Sequence, residues 1–166
     1  MPDLPWLTTK NQGRSAAWLT IAVTLVAAWE GYAAHPYVDE IGRGHPITYC
    51  YGETAADGPL PPMNATFSEA NCKDRLGEKL TIIYAPAIEK CIHVSMPPHR
   101  EAALVSAAYN LGPSSICNGQ IARRLNAGDV AGGCRALLGY DHAAGKVVKG
   151  LQRRRQAEYV MCMRND

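Results

Sequence analysis

A chain of 166 residues with 47% hydrophobic and 19% charged side chains can bury a core as one domain, which excludes a disordered chain. Its 17 basic and 15 acidic side chains leave a net charge of +2, too near balance to point to nucleic acid. No run of about 18 apolar residues is present, which argues against a permanent transmembrane helix.

Residues 1–15 form a polar tail with Pro2, Pro5, Lys10 and Arg14. Residues 16–29, from Ala16 to Trp29, carry no charge, and as a helix they span ~21 Å, short of a ~30 Å hydrocarbon layer. Three readings fit this segment. It can be a first core helix, or an uncleaved signal whose Ala and Thr content makes it a poor permanent anchor. It can also be a signal cleaved near Ala33 and Ala34, although cleavage there discards Glu30.

The apolar helix should run on to about Gly31. The turn-rich segment from Asp39 to Pro46, followed by Ile47–Tyr51, predicts a small hairpin or three-stranded sheet. Residues 53–65, with three prolines and a glycine, predict a loop. Thr66-Phe67-Ser68-Glu69 has capping-box spacing and should open a helix. Its inward face is expected at Leu76, Leu80, Ile83, Ala87 and Cys91, with a kink or interruption at Pro86. Pro97-Pro98 starts the next helix, with Ala103, Leu104, Ala107 and Ala108 inward and Gly112-Pro113 as its stop. Further helices are expected over 116–126, from an Asp129 cap to Leu138, and over 151–163. The sum is a mostly helical α+β fold.

Six cysteines at 50, 72, 91, 117, 134 and 162 show no zinc-ligand spacing, so no metal site is expected. An even, scattered count suits up to three disulfides and an oxidising compartment, which favours export; six buried thiols are the alternative. Fifteen pairings are open. If the last two helices lie together, Cys134 meets Cys162, and Cys50–Cys72 with Cys91–Cys117 complete one set.

Glu30 closes the apolar helix, and Asp39 follows across the turn-rich segment. A carboxyl at the end of an apolar helix sits where burial favours the protonated form, whereas one on a hairpin stays wetter. Unlike carboxyls of this kind suit glycosidic bond hydrolysis. Any chain with 15 acidic residues offers such pairs, and a solvated helix-end glutamate fits equally.

Several blocks in order narrow the choice. Trp29-Glu30-Gly31-Tyr32, Pro36-Tyr37-Val38-Asp39 and Thr48-Tyr49-Cys50-Tyr51-Gly52-Glu53-Thr54 resemble the phage lysozyme (endolysin) family, glycoside hydrolase family 24. Ala107-Ala108-Tyr109-Asn110-Leu111-Gly112, Leu125-Asn126-Ala127-Gly128-Asp129 and Gly150–Glu158 continue the likeness, which covers about residues 28–162 and is nearest to lambdoid-type endolysins. The resemblance implies a two-lobed, lysozyme-like catalytic domain over 30–166, with a long helix from about Phe67 joining the lobes. It implies a catalytic set of Glu30, Asp39 and Thr48, and a place for Arg153 beside Glu30. A neighbouring arginine lowers a carboxyl pKa whereas an acid catalyst works with a raised one, so burial has to outweigh it.

The implied substrate is peptidoglycan, cut between N-acetylmuramic acid and N-acetylglucosamine with inversion, for host lysis and without a cofactor. A monomer is expected, with no nucleic-acid partner. The resemblance implies synthesis in the host cytoplasm and action on the wall in the periplasm, with transient inner-membrane contact through residues 16–29 if they serve as a signal rather than as a core helix. The chain departs from the family by about three additional residues between Asp39 and Thr48, and by Glu53 where many relatives have histidine. A lytic transglycosylase and a non-catalytic peptidoglycan-binding module are the rival readings. Arg153-Arg154-Arg155 raises nucleic-acid binding as a third, though a solvated helix face explains it.

Overall fold

The computed structural model describes residues 17–41 and 44–165. The polar tail 1–15, Ala16, the Gly42-Arg43 part of the lengthened turn and Asp166 lie outside the described residues.

Helix α1 (Ala17–Glu30) ends on the glutamate, and Trp18, Ala22 and Val26 are buried at four-residue steps. Leu19, Ile21, Val23 and Ala27 are partly buried beside that line, and Thr20, Thr24 and Ala28 form the exposed side. Gly31 follows at φ 72°, a left-handed helix stop that glycine adopts without a Cβ clash. The chain therefore turns directly after Glu30 into β1 (Ala33–Val38). Strand β2 (Ile47–Cys50) pairs antiparallel with β1, Tyr37 opposite Thr48 and Val38 opposite Ile47. The register is irregular between Ala33 and Tyr37, where Pro36 has no N–H for the ladder. Of the two expected arrangements it is the hairpin that forms, extended by a bridge between Tyr49 and Glu53.

The loop after it contains a short 3-10 turn, Ala55–Asp57, capped by Thr54. Helix α2 (Glu69–Lys79) starts at Ser68, whose hydroxyl accepts from the Asn71 N–H at 3.1 Å. The expected Thr66–Glu69 box is replaced by this single cap two residues on. At Pro86 the interruption takes the form of a π-turn, Leu80–Tyr84, which joins α2 to α3 (Ala85–Glu89). Proline has no N–H to close a normal helical turn there, and Ala85 donates to Leu80, five residues back. The additional residue resets the helix face. The buried line runs Leu76, Leu80, Ala85, Ile88, and Ile83, expected inward, is half exposed.

Helix α4 (Pro98–Leu111) is buried on every side from Ala102 to Ala108, which makes it the central helix. Helices α1 and α8 (Lys149–Met163) pack on it. Residues 116–126 do not form one helix. Gly119 is extended between α5 (Pro113–Cys117) and α6 (Gln120–Asn126). Asp129 caps α7 (Val130–Arg135) by accepting from the Gly132 N–H, and a 3-10 turn carries on to Gly139. A second hairpin, β3 (His142–Ala143) with β4 (Lys146–Val147), precedes α8. Two residues per strand leave no alternation to read in sequence.

Disulfides Cys50–Cys72, Cys91–Cys117 and Cys134–Cys162 tie β2 to α2, the end of the α3 segment to α5, and α7 to α8. The architecture is the mostly helical α+β fold expected, with a small N-terminal sheet and a long joined helix over 69–89. Among the described residues no helix is long and apolar enough to cross a membrane.

Candidate active site

The turn at Gly31 places Glu30 at the mouth of the hairpin, with the carboxylate partly buried. Asp39 follows β1 directly. Its N–H donates to the Pro46 carbonyl at 2.9 Å, and its Oδ1 accepts from the Ile41 N–H at 3.0 Å, an Asx turn that fixes the side chain. Thr48 is buried on β2, and its hydroxyl donates to the same Pro46 carbonyl at 3.4 Å. One oxygen therefore ties the second carboxyl and the hydroxyl together at the base of the lengthened turn.

Arg153 does not reach Glu30. It is exposed on α8 and lines a shallow groove with Trp29, Val160 and Met161. The contact belongs to Arg154, one residue on, which is buried and whose Nη1 donates to Glu30 Oε1 at 2.6 Å. A helix turns about 100° per residue, so neighbours in an arginine triplet point in different directions.

Arg154 is held from behind. Its Nη2 reaches the Ser106 carbonyl at 3.5 Å and its Nε reaches Glu158 Oε1 at 3.3 Å. Glu158 also accepts from the Ser106 hydroxyl at 2.8 Å and from Arg155 Nη2 at 2.9 Å. Both Arg155 and Glu158 are fully buried. Burial pushes the Glu158 carboxyl up from its ordinary range, opposed chiefly by Arg155, then by the Ser106 hydroxyl and Arg154. Removing the Glu158 charge leaves the buried Arg155 guanidinium without its ion-pair partner. Glu158→Gln is expected to cost about 3–5 kcal/mol, a fall in Tm of about 10 °C. A melting curve within two or three degrees of the parent contradicts that role.

The far side of the hairpin is also anchored. Glu53 is buried and accepts from Arg75 Nη2 at 2.6 Å and from Nε at 2.9 Å. Arg75 Nη2 also donates to the Tyr49 hydroxyl at 3.0 Å. Tyr51 donates to Glu69 at 3.2 Å, and burial together with that carboxylate pushes its phenol up to about 12. Tyr109 on α4 donates to the Tyr51 carbonyl at 2.8 Å.

The structure thus links Asp39 with Thr48 through the Pro46 carbonyl, connects Glu30 to them through β1, and leaves Arg153 outside. Arg154, Ser106 and Glu158 are the residues that sequence reasoning misses. The i,i+4 spacing of Arg154 and Glu158 is the one signal that points to them.

An acid at a helix end, a second carboxyl with a hydroxyl on the adjoining hairpin, and a helical body behind them define a lysozyme-type glycoside hydrolase. The chain belongs to the phage lysozyme family, whose model matches residues 27–158. It is 37% identical over 134 residues to the SAR-endolysin of bacteriophage PS119, covering 81% of this chain and 76% of that protein. The SAR-endolysin of Enterobacteria phage P21 is 34% identical over the same length, covering 81% and 77%. In structure the chain is similar to a mutant of P22 lysozyme, with TM-score 0.76, 22% identity and coverage of 86% and 95%. It is also similar to the active form of the P1 phage endolysin Lyz, with TM-score 0.73, 20% identity and coverage of 93% and 88%.

Proposed function

We infer that this chain hydrolyses the β-1,4 bond between N-acetylmuramic acid and N-acetylglucosamine in bacterial peptidoglycan, with Glu30 as the general acid. Glu30 gives its proton to the leaving glycosidic oxygen. Asp39 takes a proton from the attacking water, and Thr48 orients that water; attack from the opposite face inverts the product. The bond from the anomeric carbon to the leaving oxygen breaks as the bond to water forms. The observation that carries this reading is the shared Pro46 carbonyl. It holds Asp39 and Thr48 on the hairpin that Glu30 leads into. Arg154 fixes the orientation of the Glu30 carboxylate.

Asp39→Asn keeps the Asx turn but loses the base. It is expected to lower turnover on purified peptidoglycan by about 10²–10⁴-fold. Release of reducing ends measures it, and parent-like turnover removes Asp39 from the mechanism. Product mass separates the rival lyase chemistry: an anhydro-muramic end, lighter by one water, shows a transglycosylase.

The relatives named SAR-endolysins support a place for the enzyme. We propose synthesis in the host cytoplasm, transient contact of residues 16–29 with the inner membrane, and action as a monomer on the wall in the periplasm. The exposed line of Thr20, Thr24 and Ala28 along α1 supports it, because the helix carries no charge before Glu30. Spheroplast fractionation tests the contact: α1-bearing protein that never partitions with membranes overturns it.

A further inference from the structure

The π-turn at Leu80–Tyr84 moves one side chain to a place that the regular period does not predict. Tyr84 packs its ring on Tyr109 at a centroid distance of 5.1 Å and an interplanar angle of 50°. Lys79 lies over the other part of that cluster, its ammonium 5.4 Å from the Tyr109 ring centroid and ion-paired to Asp57. Tyr109 stands one turn beyond Ser106, whose carbonyl shares Arg154 with Glu30. The long helix, the 54–57 loop, α4 and the Glu30 carboxylate therefore converge here. The Tyr84 ring is only partly buried, and among the described residues its hydroxyl has no hydrogen-bond partner.

We propose that Tyr84 contacts the glycan: its ring is a platform for one sugar of the strand, and its hydroxyl donates to a sugar oxygen beside Glu30. Aromatic side chains offer an apolar face and a polar tip, which is what a pyranose ring presents in return. π-turns within helices recur at functional sites, because one additional residue re-aims a side chain that the regular period would turn away. Burial raises the Tyr84 phenol, and the Asp57 and Glu30 charges raise it further, so the hydroxyl stays protonated and able to donate. The inference rests on the reading of Glu30 as the acid and extends it to substrate grip.

The probe is a soluble, peptide-free oligomer of alternating N-acetylglucosamine and N-acetylmuramic acid. Binding is measured in the Glu30→Gln background and turnover in the parent. Tyr84→Leu is expected to weaken binding about tenfold and to raise KM with kcat held within about twofold. Tyr84→Phe, which keeps the packing on Tyr109, is expected to weaken binding about two- to threefold through the lost hydroxyl. Parent-like affinity in folded Tyr84→Leu overturns the proposal. If that variant does not fold, Tyr84→Phe decides, and unchanged affinity overturns it. A Glu30→Gln protein that still cleaves overturns the acid assignment instead, and the binding measurement then stands by itself.

Discussion

Glu30→Gln is expected to abolish peptidoglycan hydrolysis while leaving the fold almost untouched. Loss of a general acid removes about 10²–10⁴ of the rate. The stability effect is small for a local reason. Arg154 keeps Glu158 and the Ser106 carbonyl as partners, and the glutamine amide oxygen can still accept from its Nη1. Turbidity loss of permeabilised Gram-negative cells and release of reducing ends from purified wall check the activity, and thermal melting checks the fold. Equal clearing by parent and variant places the chemistry elsewhere. A large fall in Tm makes Glu30 a structural partner of Arg154.

Reduction of the three disulfides is expected to remove most of the stability. The bridges join residues 22, 26 and 28 apart in sequence. In the chain-entropy account each loop of this size contributes about 3–4 kcal/mol. Their sum, about 10 kcal/mol, compares with the whole stability of an ordinary domain, about 5–15 kcal/mol. Cys134 and Cys162 are fully buried, so a reductant reaches them only through unfolding. The fully reduced protein, with six thiols counted by titration, should show no cooperative melting above room temperature. An unchanged transition assigns the stability to the core around α4 alone.

The hydrophobic period carries much of the fold. α1 and α4 are legible because each is long and either regularly striped or bounded by proline and glycine. Ile83 escapes the pattern because a 3.6-residue period extrapolated through Pro86 cannot register a π-turn. One added residue moves the buried line to Ala85 and Ile88. The short β3–β4 hairpin and the break at Gly119 offer too few residues for any pattern. At the candidate site Glu30, Asp39 and Thr48 come from resemblance to a family, since one carboxylate pair among 15 acidic residues specifies nothing. The step from Arg153 to Arg154 is a question of helical phase. It depends on how α8 rotates against α4, which tertiary packing decides.

The covalent topology has a consequence for how the chain matures. The six cysteines pair first with second, third with fourth, and fifth with sixth, so the closed loops follow one another and none encloses another. Of fifteen ways to pair six cysteines, this is the one that a chain oxidised in order of emergence reaches without reshuffling. Each thiol meets its native partner before the next pair appears. Oxidative maturation thus needs an oxidant more than an isomerase, and α1 with Glu30, upstream of every loop, can join after the body behind it is locked.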